Sequence, residues 1–166
     1  MSERQALLIL GPGSSAEYEL LARTFDVYTP AKDEAVMEFA ERQIGRPFDL
    51  IGQGGAAGAA AQIAALHPES AQQLILVSPA GVEGDRLEDI SCLTLIVQGS
   101  HDSAAAGQNL RKRIGSSYLA YIYGAGPDVA ADKPERLAAL ITEFLTRGEA
   151  FIINWNEENV WEPSRT

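Results

Sequence analysis

The chain has 166 residues and a formal charge of −10, with 23 acidic against 13 basic side chains. That length predicts one domain burying about two-thirds of the surface its unfolded chain would expose. An acidic surface with no basic cluster beyond Arg111-Lys112-Arg113 argues against nucleic-acid binding. The single cysteine, Cys92, allows no internal disulfide, so a cytoplasmic location is expected. No apolar run reaches membrane-span length, and Met1-Ser2-Glu3-Arg4 leads into a short apolar strand without a cleavage-site pattern, so neither export nor a membrane partner is expected.

The first apolar run, ALLIL at 6–10, predicts a strand. Residues 15–25 follow with Tyr18, Leu21, Ala22 and Phe25 on one helical face, and 25–29 reads as a second strand. A helix over 33–44 repeats Val36, Met37, Ala40 and Ile44 at 3.6-residue spacing. The strand at 48–52 runs into GQGGAAG and an alanine-rich helix over 56–66, and another strand occupies 73–78. Residues 79–92, PAGVEGDRLEDISC, carry the glycines and acids of a crossover loop with room for one short helix at most. Then come a strand at 93–98, a helix at 104–114, a strand at 118–123 and a helix at 134–147. That last helix has Pro134 in its first turn and Gly148 just past its end, the expected asymmetry of helix ends.

Strands this apolar, alternating with helices, predict an α/β fold: a three-layer parallel-sheet sandwich of about six strands. One domain is expected over 1–148. A tail at 149–166, with Phe151, Ile152, Ile153, Trp155 and Trp161 among polar residues, is expected to pack on that domain or on a partner.

Ligands of open α/β sheets bind beyond the carboxyl ends of the strands, which here read GPGSS from Gly11, GQGGAAG from Gly52, SPAG from Ser78, GSHDS from Gly99 and GAGPD from Gly124. The stretch DLIGQGGAAGAAAQIAALHPESAQQLILVSPAG resembles the nucleophile-elbow region of the α/β-hydrolase superfamily. In addition, ISCLTLIVQGSHD looks like the segment that delivers that family's acid, and YIYGAGPDVAADKPERLAALITEFL like the one that delivers its histidine. The likeness spans roughly residues 7–145 in the family's order. It implies a minimal hydrolase core with strand order 2-1-3-4-5-6, all parallel, and no room at 79–92 for the family's lid.

By the same resemblance Gly54 stands at the nucleophile, Asp102 at the acid and Pro127 at the histidine, while Leu10-Gly11 stands where a His-Gly pair helps form the oxyanion pocket. Acyl transfer requires a hydroxyl nucleophile and an imidazole to take its proton, and glycine and proline supply neither. A non-catalytic binding or interaction protein is therefore expected, with a hydrolase of small esters or amides using His101, Asp102 or a loop serine as the alternative. Gly11, Gly54, Gly55, Ala56 and His101 are the candidate ligand-binding residues. The backbone N–H groups of Gly55 and Ala56 open a helix that could hold a small anion.

GQGGAA also fits a relaxed dinucleotide fingerprint, but the acid wanted at the end of the next strand is absent from Leu76-Val77-Ser78-Pro79, so no cofactor is expected. Two histidines, His67 and His101, and one cysteine at these spacings give no metal site. His67 is expected to close its helix. The partner is expected to be a small ligand or a protein. A homodimer is expected as well, through the lightly protected strand at 25–29 or the one at 118–123, aided by the tail.

Overall fold

The computed structural model describes residues 3–84 and 86–148. The six apolar runs form β1 (Ala6–Leu10), β2 (Asp26–Tyr28), β3 (Phe48–Gln53), β4 (Ala71–Val77), β5 (Leu93–Gly99) and β6 (Ser117–Ile122). They pair in one parallel sheet ordered β2-β1-β3-β4-β5-β6, as expected. Alternate residues point to opposite faces. Leu7, Ile9, Ile51, Ile75, Val77, Leu95 and Val97 fill one face, and Leu8, Leu10, Leu50, Leu74, Leu76 and Ile96 the other.

Helices cover both faces. On the first, α1 (Ser15–Leu21) and α6 (Pro134–Arg147) contribute Leu21, Leu137, Ile141 and Phe144. On the second, α2 (Val36–Gln43), α3 (Ala57–Leu66) and α4 (Ala105–Arg113) contribute Ala40, Ala60, Ala61, Ala64 and Leu110. The alanines let α3 lie close on the sheet: a Cβ on Gly52 would stand 2.5 Å from Ala60 Cβ and 2.9 Å from Ala57 Cα. The crossover segment carries one 3-10 turn, Leu87–Asp89, and buries Leu87 and Ile90 against the second face.

Three boundaries differ from the sequence expectation by two residues or more. The first helix stops at Leu21 because Arg23 and Thr24 donate to Leu20 and Leu21 carbonyls three residues back, tightening the last turn; Phe25 remains buried beyond it. The second helix starts at Val36, because Glu34 closes a turn with Ala31 through both its amide and its side chain. β4 begins at Ala71, which pairs with Phe48 ahead of a register shift. The short helix α5 (Val129–Asp132) was not expected.

At the amino end of the sheet, Gln5 Nε2 donates to Asp49 Oδ2 at 2.9 Å and to the Leu145 carbonyl at 3.0 Å. This ties β1 and β3 to the last turn of α6. Asp49 Oδ1 and Gln73 Oε1 are buried without partners, and burial raises the Asp49 pKa to about 7. Among the described residues no helix is long and apolar enough to cross a membrane. The tail expected to pack at 149–166 lies outside the described residues.

Candidate functional site

β3 ends at Gln53, and the chain turns sharply at Gly54 into a 3-10 turn, Gly54–Ala56, that runs on into α3. Gly54 has φ 56°, a left-handed conformation that costs a side-chain-bearing residue free energy and glycine none. Beside this elbow is a cavity of about 260 Å³. Its walls are residues 12–14 after β1, the Gln53–Gly54 elbow, Val77 and Ser78 at the end of β4, and residues of the segment leading into α5, including Pro127 and Asp128.

The wall after β1 is held by its own hydrogen bonds. Ser14 caps α1, its Oγ accepting from the Glu17 amide at 3.1 Å. The Gly13 N–H donates to Tyr18 Oη at 2.9 Å, and that hydroxyl donates to the Gly11 carbonyl at 3.0 Å. Pro12 has no N–H. This loop therefore has no N–H at Pro12, and that of Gly13 is committed to the tyrosine.

Behind Gly13 and Gln53 sits Glu17, with none of its surface exposed. Its Oε1 accepts from Gln53 Nε2 at 2.9 Å, and its Oε2 has no partner. Burial pushes the Glu17 pKa up and the charge of Asp128 pushes it further, against the lowering effect of the Gln53 and Ser14 hydrogen bonds. Across the cavity, Asp128 caps α5 through Oδ1, which accepts from the Ala131 amide at 3.2 Å. Ser78 is the one non-glycine residue with positive φ among those described, at 47°. Its amide donates to the Val97 carbonyl at 2.8 Å, while its Oγ is buried without a hydrogen-bond partner.

Of the positions singled out from sequence, Gly54 and Pro127 meet in this cavity. The others do not line it. Asp102 is half-buried in its own loop, where Oδ1 accepts from the Ser103 amide at 2.7 Å and its amide donates to the Gly99 carbonyl. His101 is exposed, its amide bonded to the Ala125 carbonyl. Gly11 stands behind the elbow, bonded through its carbonyl to Tyr18, and Gly55 and Ala56 lie in the 3-10 turn outside the cavity wall. Ser100 Oγ accepts from the Gly124 amide and so ties a turn, whereas Ser78 Oγ has no partner. His67 closes α3 as expected, with Nδ1 3.4 Å from Glu69. No group of three metal-binding side chains occurs among the described residues.

Sequence reasoning passed over Glu17, Gln53 and Asp128 as site residues, while Ser78 stood among the loop serines of the alternative reading. Glu17 left one signal, lying four residues before Leu21 and so on the buried face of its helix. Asp128 immediately follows a position that resemblance had already marked.

No protein-family model and no curated protein matches the chain. Solved structures do. A predicted CIB-like hydrolase from Thermoplasma acidophilum is similar at a TM-score of 0.73 with 20% identity, over 87% of each chain. A serine hydrolase involved in carbazole degradation is similar at 0.74 with 14% identity, over 87% of this chain and 92% of its own. A meta-cleavage product hydrolase from Pseudomonas fluorescens IP01, a mutant complexed with acetates, is similar at 0.74 with 12% identity, over 88% and 92%. At these identities the likeness establishes architecture, and the architecture agrees with the strand order and elbow described above: the chain has the α/β-hydrolase fold.

Proposed function

We propose that this protein acts by binding, not by catalysis, and that its ligand is a small polar molecule seated in the elbow cavity. The observation that carries the reading is the state of the cavity's hydroxyls. Ser14 Oγ is occupied as a helix cap, and Ser78 Oγ has no base hydrogen-bonded to it. A serine nucleophile needs an adjacent general base, and among the described residues the only titratable group in the wall is Asp128, whose Oδ1 is already engaged. Pro127 brings no imidazole. The loop after β1 adds support: a developing oxyanion requires aimed N–H groups, and there Pro12 lacks one and that of Gly13 is given to Tyr18. The acidic chain with one cysteine fits a cytoplasmic protein, and its sheet edges fit self-association into a homodimer.

A second reading, a hydrolase with an unconventional centre, draws on Ser78, since strained backbone gathers at functional sites. One experiment separates the two. Purified protein should take no label from a fluorophosphonate probe and should turn over p-nitrophenyl acetate no faster than a heat-killed control. Stoichiometric labelling mapped to Ser78 would overturn the binding reading in favour of the second.

A further inference from the structure

We propose that the chain's own segment 151–155, FIINW, docks in the groove at the amino end of the sheet, between α2 and the entry of β3. This goes beyond the binding reading and does not depend on it. The groove, of about 380 Å³, is lined by Met37 and Ala40 of α2 and by Pro47 and Phe48 at the entry of β3. Glu41 and Glu69 line it too and are exposed. Among the described residues the one cation of the lining is Arg46, and it is already paired with Asp26 at 3.0 Å. Apolar walls with two exposed carboxylates suit an uncharged apolar segment and repel an acidic one.

The occupant follows from where the described chain stops. α6 delivers the chain to the same end of the molecule: Gln5, just ahead of β1, donates to the Leu145 carbonyl at 3.0 Å, and a Cβ on Gly148 would stand 3.9 Å from Gln73 Nε2. Gln73 lies three residues beyond Ser70 of the groove wall, about 10 Å along a strand. Residues 151–155 come three to seven positions after Gly148 and reach roughly 10–25 Å. That is enough to pass from the face covered by α6, under the amino ends of β3 and β4, to the face covered by α2. FIINW carries no charge, whereas Glu157, Glu158 and Glu162 follow it. Apolar surface is also left uncovered at this end. Leu66, the last residue of α3, is one of two large apolar side chains exposed among the described residues, and α3 ends here because it runs back from the carboxyl end of β3 to the start of β4.

Each side of the contact carries its own probe, since both tryptophans, Trp155 and Trp161, lie in the tail and, of the two methionines, only Met37 lines the groove. In the full chain with Trp161→Phe, Trp155 emission should be blue-shifted from its value in urea and quenched by acrylamide several-fold more slowly. With isotope-labelled methionine methyls, Met37 should show NOEs to protons of Phe151, Ile152 or Trp155, and in mixtures of labelled and unlabelled chains these should stay within one chain. Ile152→Glu should abolish the NOEs and return Trp155 to its urea emission; Met37→Glu should expose Trp155 in the same way. Val82→Glu, in the charged groove between the crossover segment and α4, should change neither. Ile152→Glu leaves every described residue as it is, so the test stays readable should Met37→Glu fail to fold. A solvent-exposed Trp155 without Met37 NOEs overturns the proposal and leaves the groove to a separate partner. NOEs found only between chains overturn it in favour of a second copy's tail, and a protected Trp155 that responds to Val82→Glu but not to Met37→Glu overturns it in favour of the other groove.

Discussion

Two glycines two positions apart in the chain are constrained for different reasons, and the difference is measurable. Gly54 has positive φ with nothing within 4 Å of where a Cβ would stand. Gly54→Ser should therefore cost only the backbone penalty, about 1–2 kcal/mol. Gly52 precedes it by two positions, and its added Cβ would press on α3 itself, so Gly52→Ala should cost more, about 3 kcal/mol. Urea midpoints of the two variants in that order are expected; the reverse order would mean that α3 yields more easily than the turn. The turn was legible in GQGGAA, but the packing of Gly52 was not, because it depends on a helix that starts five residues later lying back over the strand. A third residue-scale expectation concerns Asp49. Its folded-state pKa is raised from 3.8 to about 7, so between those values the native state holds a proton that the unfolded chain has released. Stability should fall as pH rises through this window, by at most about 1.4 kcal/mol per pH unit, and level off above it. The raised Glu17 acts with the same sign. Asp49→Asn should flatten the fall between about pH 5 and about pH 7.5, and urea midpoints at the two values check this. A slope equal to the parent's would place the proton elsewhere.

At the scale of elements, α6 was legible to the residue. Its apolar positions Leu137, Ile141, Phe144 and Leu145 keep the helical period, Pro134 opens it, and Gly148 closes it at φ 55°. α5 was not, because four residues are too few to show a period, and what holds them is the Asp128 cap and the burial of Val129 and Ala130. The end of α1 was also misread: Phe25 keeps the apolar spacing but is buried from beyond the helix, so periodicity alone ran past the true boundary. The loop joining β1 to α1 is fastened by Tyr18 Oη, which spans Gly13 N and Gly11 O. Tyr18→Phe removes both bonds and should cost about 1–2 kcal/mol. It should also speed hydrogen exchange at the Gly13 amide relative to neighbouring α1 amides. Unchanged exchange there would show that the loop is held by packing and not by the phenol.

For the molecule as a whole, the sheet leaves two edges. β2 is three residues long, and its Asp26 is paired with Arg46 at 3.0 Å, so it offers little to a neighbour. β6 is six residues long and pairs only with β5 among the described residues. Unpaired N–H and C=O groups along such an edge invite another strand. A dimer is therefore expected at micromolar concentration, and light scattering on the full chain checks it; a monomer rejects the self-association reading.

The sequence by itself determined the layers, while the strand order was what the family resemblance implied. Apolar strand runs must be buried on both faces, an alanine-rich helix must lie close to its sheet, and a glycine at a strand-to-helix turn releases the strain of that turn. These are local constraints, written in consecutive residues. The tertiary structure alone decided which side chains face one another at the carboxyl end of the sheet. It set Glu17 of α1 against Gln53 of β3, near Asp128 before α5, and left Ser78 without a partner while Asp102 and His101 stayed outside the cavity. The physical reason is that burial and charge act through space. A carboxyl group's pKa rises, or a hydroxyl stays unpaired, because of residues tens of positions away, and no spacing within one segment records that.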